Sequence, residues 1–163
     1  GSLGQGLSVA LGTAQTKKLN KDKSIVYTLH GDGELQEGQI WEAAMYAAAN
    51  KVDNLIATID FNGRQIDGDV ENVLSLGSLS EKWQAFGWEV LEMDGHNFEN
   101  IHSTMTEAKN KLGRGKPVVI IMATEMGMGV DFMMGTHKWH GVAPNDEQLS
   151  SALSQLKETL GDY

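Results

Sequence analysis

The chain contains no cysteine. A disulfide scaffold and any thiolate metal site are thereby excluded. The absence fits a reducing compartment, so a cytoplasmic location is expected. Proline is nearly missing, with 2 in 163 residues, and no periodic glycine repeat is present. Collagen-like structure is therefore excluded. Positive charge is scarce: 13 Lys and Arg stand against 22 Asp and Glu, for a net charge of −9. That balance argues against a nucleic-acid-binding surface, which needs a basic face. It reads instead as a solvated surface. No apolar run approaches the roughly 18 residues that a membrane span needs. Neither nucleic acid nor membrane is an expected partner.

What is plentiful is glycine, 19 of 163 residues, well above the usual fraction of about 7 %. Several of these glycines close apolar runs, where tight turns and close ligand approach require them. The length fits one ordinary domain, residues 1–163, and can bury a proper core without staples.

The apolar runs divide into strand-like and helix-like periods. Ser24–Leu29, Leu55–Asp60 and Pro117–Met122 are short, rich in β-branched residues, and read as buried strands. Trp88–Met93 is a fourth strand whose weak alternation suggests an edge position. Helical periods lie between them. Gly4–Leu19 places Leu7, Ala10, Leu11, Ala14 and Leu19 on roughly one face, and Glu37–Asn50 does the same with Trp41, Ala44, Met45 and Ala48. Further helices are predicted over Ser80–Phe86, over Phe98–Leu112 with Asn97 as its cap, and over Asn145–Leu160 with Asp146 and Glu147 in its first turn. This alternation predicts an α/β fold: three layers, α/β/α, around a mostly parallel sheet. Such sheets bind ligands at the carboxyl ends of their strands. The stretch Met122–Asn145 is a long loop, and loops of that length are usually functional or disordered.

Two strand ends carry chemistry. The first is Gly31-Asp32-Gly33-Glu34-Leu35-Gln36-Glu37-Gly38, followed by a helix. Gly31 and Gly33 let backbone approach a ligand, the helix amino end favours a phosphate, and Asp32 suits a divalent cation that neutralises it. An acidic turn with glycines is the plain alternative. The second is Asp60-Phe61-Asn62-Gly63-Arg64-Gln65-Ile66-Asp67-Gly68. Asn62 offers a neutral oxygen, although an ordinary Asn-Gly turn reads the same way. Asp32, Asn62 and a carbonyl just past Asn62 would supply three of the six oxygen ligands that Mg²⁺ takes, with two diphosphate oxygens and a water completing the set.

With 28 residues between Gly33 and Asn62, the two loops span one β-α-β crossover. The pair resembles the thiamine-diphosphate motif, and the flanking residues resemble transketolase. So do Leu3-Gly4-Gln5-Gly6 near the start and Gly135-Thr136-His137-Lys138-Trp139-His140-Gly141 near the end. The resemblance runs in order along nearly the whole chain and implies the thiamine-diphosphate-binding fold. It also implies roles. Asp32, the Asn62 side chain and the Arg64 main-chain carbonyl would bind Mg²⁺ or Ca²⁺. The Gly33 N–H would meet the diphosphate of thiamine diphosphate. Gly1 and Leu3 would line the cofactor, and Ile66 would pack on its thiazolium ring. His140 would touch diphosphate and substrate hydroxyls, and Glu37 would join a carboxylate network at a subunit interface. His137 lies one helical turn from His140 and carries a weaker expectation. Three departures stand out. Ser2 replaces a usual Pro, Arg64 replaces a usual Ile, and Met126-Gly127-Met128-Gly129 lacks a basic residue common there.

By the same resemblance the chain is the diphosphate-binding domain alone. The pyrimidine-binding domain has no counterpart here, and the amino-terminal part of the domain is expected to be missing. The implied activity is transfer of a two-carbon ketol unit between sugar phosphates, with an amino-terminal subunit of this kind needing a carboxyl-terminal, pyrimidine-binding subunit or domain in a homo- or hetero-oligomer. The isolated chain is expected to be inactive. Three other readings stand beside this one: a truncated docking module, another thiamine-diphosphate enzyme such as deoxyxylulose-phosphate synthase or a 2-oxoacid dehydrogenase, and a generic Mg-nucleotide domain. The last lacks a Walker-type loop and a Rossmann GxGxxG. Trp139-His140-Gly141 favours transketolase. His137 and His140 could pair on zinc, but no third ligand lies nearby in sequence. His96 and His102 are expected to face solvent.

Overall fold

The computed structural model describes residues 2–157. Gly1, and residues 158–160 at the end of the predicted last helix, lie outside the described residues. The chain runs through helix α1 (Gln5–Leu19), strand β1 (Val26–Gly31), a 3-10 turn (Gly33–Gln36), helix α2 (Gly38–Ala49) and strand β2 (Leu55–Phe61). A small hairpin of β3 (Arg64–Gln65) and β4 (Gly68–Asp69) follows, then α3 (Val70–Leu74), α4 (Leu79–Ala85), β5 (Glu89–Asp94), α5 (Phe98–Lys111), β6 (Val118–Ala123) and α6 (Asp146–Gln155). Strands β1, β2, β6 and β5 form one sheet in that order, and every pairing in it is parallel. The α/β class, the four strands and the edge position of β5 are as the sequence predicts.

Strand alternation sorts the core into two halves. Leu55, Ala57 and Ile59 of β2 face α1, α2 and α4, where they meet Leu7, Ala14, Ile40, Ala44 and Trp83. Ile56 of β2 and Val118 and Ile120 of β6 face the other way, against Ala108 of α5. Each fully buried Leu or Ile contributes roughly 1.5–3 kcal/mol. Trp83 closes the larger half, with its ring centroid 5.2 Å from Trp41 and 4.8 Å from Trp88. Polar caps fix three helix starts. Ser78 and Asn97 accept backbone N–H groups at α4 and α5, and Asn145 forms a reciprocal capping box with Gln148 at α6.

Four expectations need correction. Strand β1 begins two residues later than predicted and runs to Gly31, which puts His30 and Gly31 inside the sheet. Nor is β1 buried on both faces. Tyr27 and Leu29 are 49 % and 66 % exposed, because β1 is an edge strand and α5 packs against β5 and β6. Leu19 is exposed rather than on the buried face of α1. It lies five residues past Ala14, which turns it about 140° away from the Ala14 direction. Met45 is exposed for the same reason, one residue round α2 from the buried Ala44. The β3–β4 hairpin and α3 were not anticipated, since two-residue strands carry no usable period.

Candidate functional site

The carboxyl ends of β1 and β2 are neighbours in the sheet, paired up to Gly31 and Asp60. The pairing continues one step further, as Asp32 N–H donates to the Asp60 carbonyl at 3.2 Å. Asp32 then turns into the 3-10 segment, and its carboxylate reaches both loops. Oδ1 accepts from Gly33 N–H at 2.7 Å, and Oδ2 accepts from Gly63 N–H at 2.6 Å. Gly63 sits at φ +72°, in the left-handed region that favours glycine. Asn62 Oδ1 accepts from Arg64 N–H at 2.8 Å and starts the β3–β4 hairpin. The Arg64 guanidinium is held by the Asp69 carboxylate.

Asp32 is only 1 % exposed. Burial pushes its carboxyl above the usual carboxylate range, and the nearby Asp60 charge pushes the same way. The Gly63 and Gly33 N–H groups pull against both. The Asp32 carboxylate beside a neutral Asn62 oxygen is a donor set of hard oxygens that fits a hard cation. Among the described residues no group of three or more His, Cys, Asp or Glu could hold a metal. A cation here would therefore draw on Asp32, Asn62, backbone carbonyls and ligand oxygens. Gly33 belongs to the same cradle, since a Cβ on it would lie 3.0 Å from the Gln65 Cβ.

These loops wall a cavity of ≈ 390 Å³. Leu3, Gly31, Asp32, Gly33, Glu37, Asn62, Arg64, Ile66 and His140, all singled out in the sequence, line it together. Gly1 lies outside the described residues. Ile66 is at the tip of the hairpin and 66 % exposed. Glu37 is exposed at the start of α2 and makes no capping hydrogen bond with its side chain. His140 arrives from the long loop after β6. There Thr124 hydroxyl bonds the Asp60 carboxylate, and Glu125 Oε1 accepts from Gly135 N–H at 2.7 Å. Trp139 indole N–H donates to the Phe132 carbonyl at 2.8 Å. The segment His137–His140 is a single turn, closed by His140 N–H on the His137 carbonyl at 2.9 Å. His137 is not among the lining residues.

Sequence reasoning gave no role to Glu34, Asp60 or Gln65, which line the same cavity. Asp60 had a readable signal, being a carboxylate at a strand end two residues before Asn62. His96 and His102 are exposed as expected. His96 nevertheless has a partner, because its Nε2 accepts from Glu125 N–H at 2.8 Å.

A parallel α/β sheet with Asp32 and Asn62 converging from adjacent strand ends defines a ligand-binding domain of the open-sheet class. A family model described as "Transketolase, thiamine diphosphate binding domain" matches residues 1–161. The chain belongs to that transketolase family. It is 44 % identical over 162 residues to one subunit of an apulose-4-phosphate transketolase from Phocaeicola vulgatus, with 98 % of this chain and 56 % of that protein covered. It is 42 % identical over 158 residues to a 6-deoxy-6-sulfo-D-fructose transketolase subunit of Clostridium sp. (strain MSTE9), covering 97 % and 57 %. The chain thus spans little more than half the length of these relatives. The transketolase structure from Campylobacter jejuni superposes with a TM-score of 0.86 at 34 % identity, over 95 % of this chain and 25 % of that one.

Proposed function

We propose that this chain is the diphosphate- and metal-binding part of a transketolase that moves a two-carbon ketol unit between sugar phosphates. The observation that carries the reading is the convergence of buried Asp32 and Asn62 on one cavity with Leu3, Ile66 and His140. Asp32, Asn62 Oδ1 and the Arg64 carbonyl would hold Mg²⁺ or Ca²⁺. The Gly33 N–H lies against the Asp32 carboxylate and would donate to a diphosphate oxygen beside the cation. Leu3 and Ile66 give apolar walls to the ring system. Thiamine diphosphate, when bound, supplies the electron sink for breaking and making the carbon–carbon bond. His140 would bind the donor's hydroxyls and hold or pass a proton at its ring nitrogen. Glu37, exposed at the cavity rim, would meet a carboxylate of a second chain.

Two relatives are named as subunits, which supports a partner polypeptide. That partner would carry the pyrimidine-binding domain, and the oligomer would be cytoplasmic. The isolated chain would bind metal–diphosphate weakly and not turn over. The test is calorimetric titration of thiamine diphosphate with Mg²⁺ into the chain, alone and with a carboxyl-terminal transketolase subunit. Binding is expected to tighten with the partner and to vanish in Asp32→Ala. No binding in either setting, or binding untouched by Asp32→Ala, would sink the reading.

A further inference from the structure

The Leu3-Gly4-Gln5-Gly6 and Gly33-Glu34-Leu35-Gln36 segments are far apart in sequence and meet at the edge of the cavity. Leu3 lines the cavity and lies just before α1. Two side chains from the other segment and its following helix hold it there. Gln39 Nε2 donates to the Leu3 carbonyl at 3.1 Å. Glu34 Oε1 accepts from Gly4 N–H at 2.9 Å, while its Oε2 accepts from Gly31 N–H at 3.2 Å. The Glu34 side chain is 15 % exposed, and the buried His30 ring stands behind it with Nδ1 3.3 Å from Oε1. His30 is held on its other side, where Nε2 lies 3.0 Å from the Thr28 hydroxyl. Gly4 cannot be another residue here. Its φ is +78°, and a Cβ would lie 2.9 Å from Glu37 Cβ and 3.0 Å from Gln39 Cγ.

We infer that Glu34 is a positioning residue: its carboxylate clamps the amino end of α1 to the end of β1, and so fixes Leu3 as a wall of the cofactor cavity. The inference rests on the function proposed above. It explains why a carboxylate stands at this position. Both oxygens accept from backbone N–H groups, which a glutamine could not do, since its amide presents one acceptor and two donors. Glu34 also takes the Gly4 N–H, one of the free backbone donors at the amino end of α1.

Two measurements on the full chain test it. The first is amide hydrogen exchange followed by NMR, without cofactor. In Glu34→Gln one acceptor serves two N–H groups, so the Gly4 or the Gly31 amide is expected to exchange on the order of tenfold faster, the loss of one hydrogen bond to a charged group. The second is titration with thiamine diphosphate and Mg²⁺, run for Glu34→Gln, Asp32→Ala and Asp53→Asn. Asp53 lies before β2, at the opposite end of the sheet from the cavity, and its substitution serves as a destabilised control. Glu34→Gln is expected to weaken binding on the order of tenfold, while Asp53→Asn lowers the melting temperature and leaves affinity unchanged. Unchanged exchange at both Gly4 and Gly31, or unchanged affinity in Glu34→Gln, overturns the clamp. So does a loss of affinity that merely follows melting temperature across Glu34→Gln and Asp53→Asn. Absence of binding in the unsubstituted chain as well would instead overturn the function on which the inference rests, and the inference with it.

Discussion

Replacing Gly95 with alanine is expected to destabilise the chain, and replacing Gly12 with alanine to stabilise it. Gly95 forms the turn between β5 and α5, and its N–H donates to the Ala123 carbonyl at 2.8 Å. Its φ is outside the left-handed region, so backbone strain is not the issue. Space is. A Cβ would lie 2.5 Å from Thr124 Cγ2, 2.7 Å from Met122 Cγ and 3.1 Å from the Ala123 carbonyl oxygen. Thr124 cannot swing away freely, because its hydroxyl is bonded to Asp60 in the candidate site. Relief must therefore move either the β5–α5 turn or the exit of β6. Overpacking of this kind costs about 1–3 kcal/mol, which corresponds to a melting temperature lower by about 2–12 °C in a chain of this size. Gly12 lies in the exposed interior of α1, and among the described residues no side chain, and no backbone outside its own helix, comes within 4 Å of where a Cβ would lie. There the same substitution gains about 0.4–1 kcal/mol by restricting the unfolded chain. Thermal unfolding followed by far-ultraviolet circular dichroism reads both. A Gly95→Ala chain that melts within 1 °C (about the error of such a scan) of the parent, or one that melts above it, would refute the packing argument.

Three further outcomes follow from the structure. Asp53 accepts from Lys18 Nζ at 2.5 Å and from Gly115 N–H at 2.8 Å. Burial pushes its carboxyl up, but Lys18 and the Gly115 N–H outweigh burial and hold it below the usual carboxylate range. The stabilisation is therefore present above the unfolded value of about 3.9 and disappears as pH falls through the lower folded value. Asp53→Asn is expected to cost about 1 kcal/mol at neutral pH after allowing for the exposed lysine. Denaturant melts should show that gap closing in acid; a gap that widens below pH ~4 would contradict the assignment. Trp88 and Trp83 make a contrasting pair. Trp88 indole N–H donates to the Ala44 carbonyl at 3.0 Å, whereas the buried Trp83 indole nitrogen has no partner among the described residues. Trp88→Phe should lose about 1 kcal/mol more hydrogen-bond stability than Trp83→Phe; equal costs in urea unfolding would remove the hydrogen bond from the account. Arg64→Met removes the guanidinium that Asp69 holds but keeps the backbone carbonyl. It should leave Mg²⁺-dependent thiamine diphosphate binding within about threefold of the parent, the effect of a partly exposed ion pair. A loss approaching that of Asp32→Ala would show the side chain, not the carbonyl, to be what matters at Arg64.

Much of the molecule was legible from residue order. Short β-branched runs marked β1, β2 and β6, and for the central β2 and β6 the reason is that a strand buried in a parallel sheet has to be apolar on both faces. Asn97 marked the start of α5 because its side chain can take a free N–H. Asp32, Asn62 and His140 were found by local motif. The limits are as physical. Leu19 and Met45 were assigned to buried faces by counting apolar residues, and a helix that advances 100° per residue turned both to solvent. Tyr27 and Leu29 looked like core in sequence, and only the placement of α5 over β5 and β6 left them exposed.

The α/β class, the order of helices and strands, and the candidate residues for a cation and a phosphate were readable from residue order alone, because periodicity and side-chain chemistry are local properties. The tertiary structure decided that β1 and β2 are neighbours, that β6 lies between β2 and β5, and hence that Asp32 and Asn62 face one cavity. It also decided that Glu34 reaches Gly4, 30 positions away in the chain. Hydrogen bonds of that kind depend on which loops the sheet order brings together, and that order is settled by packing across the whole core.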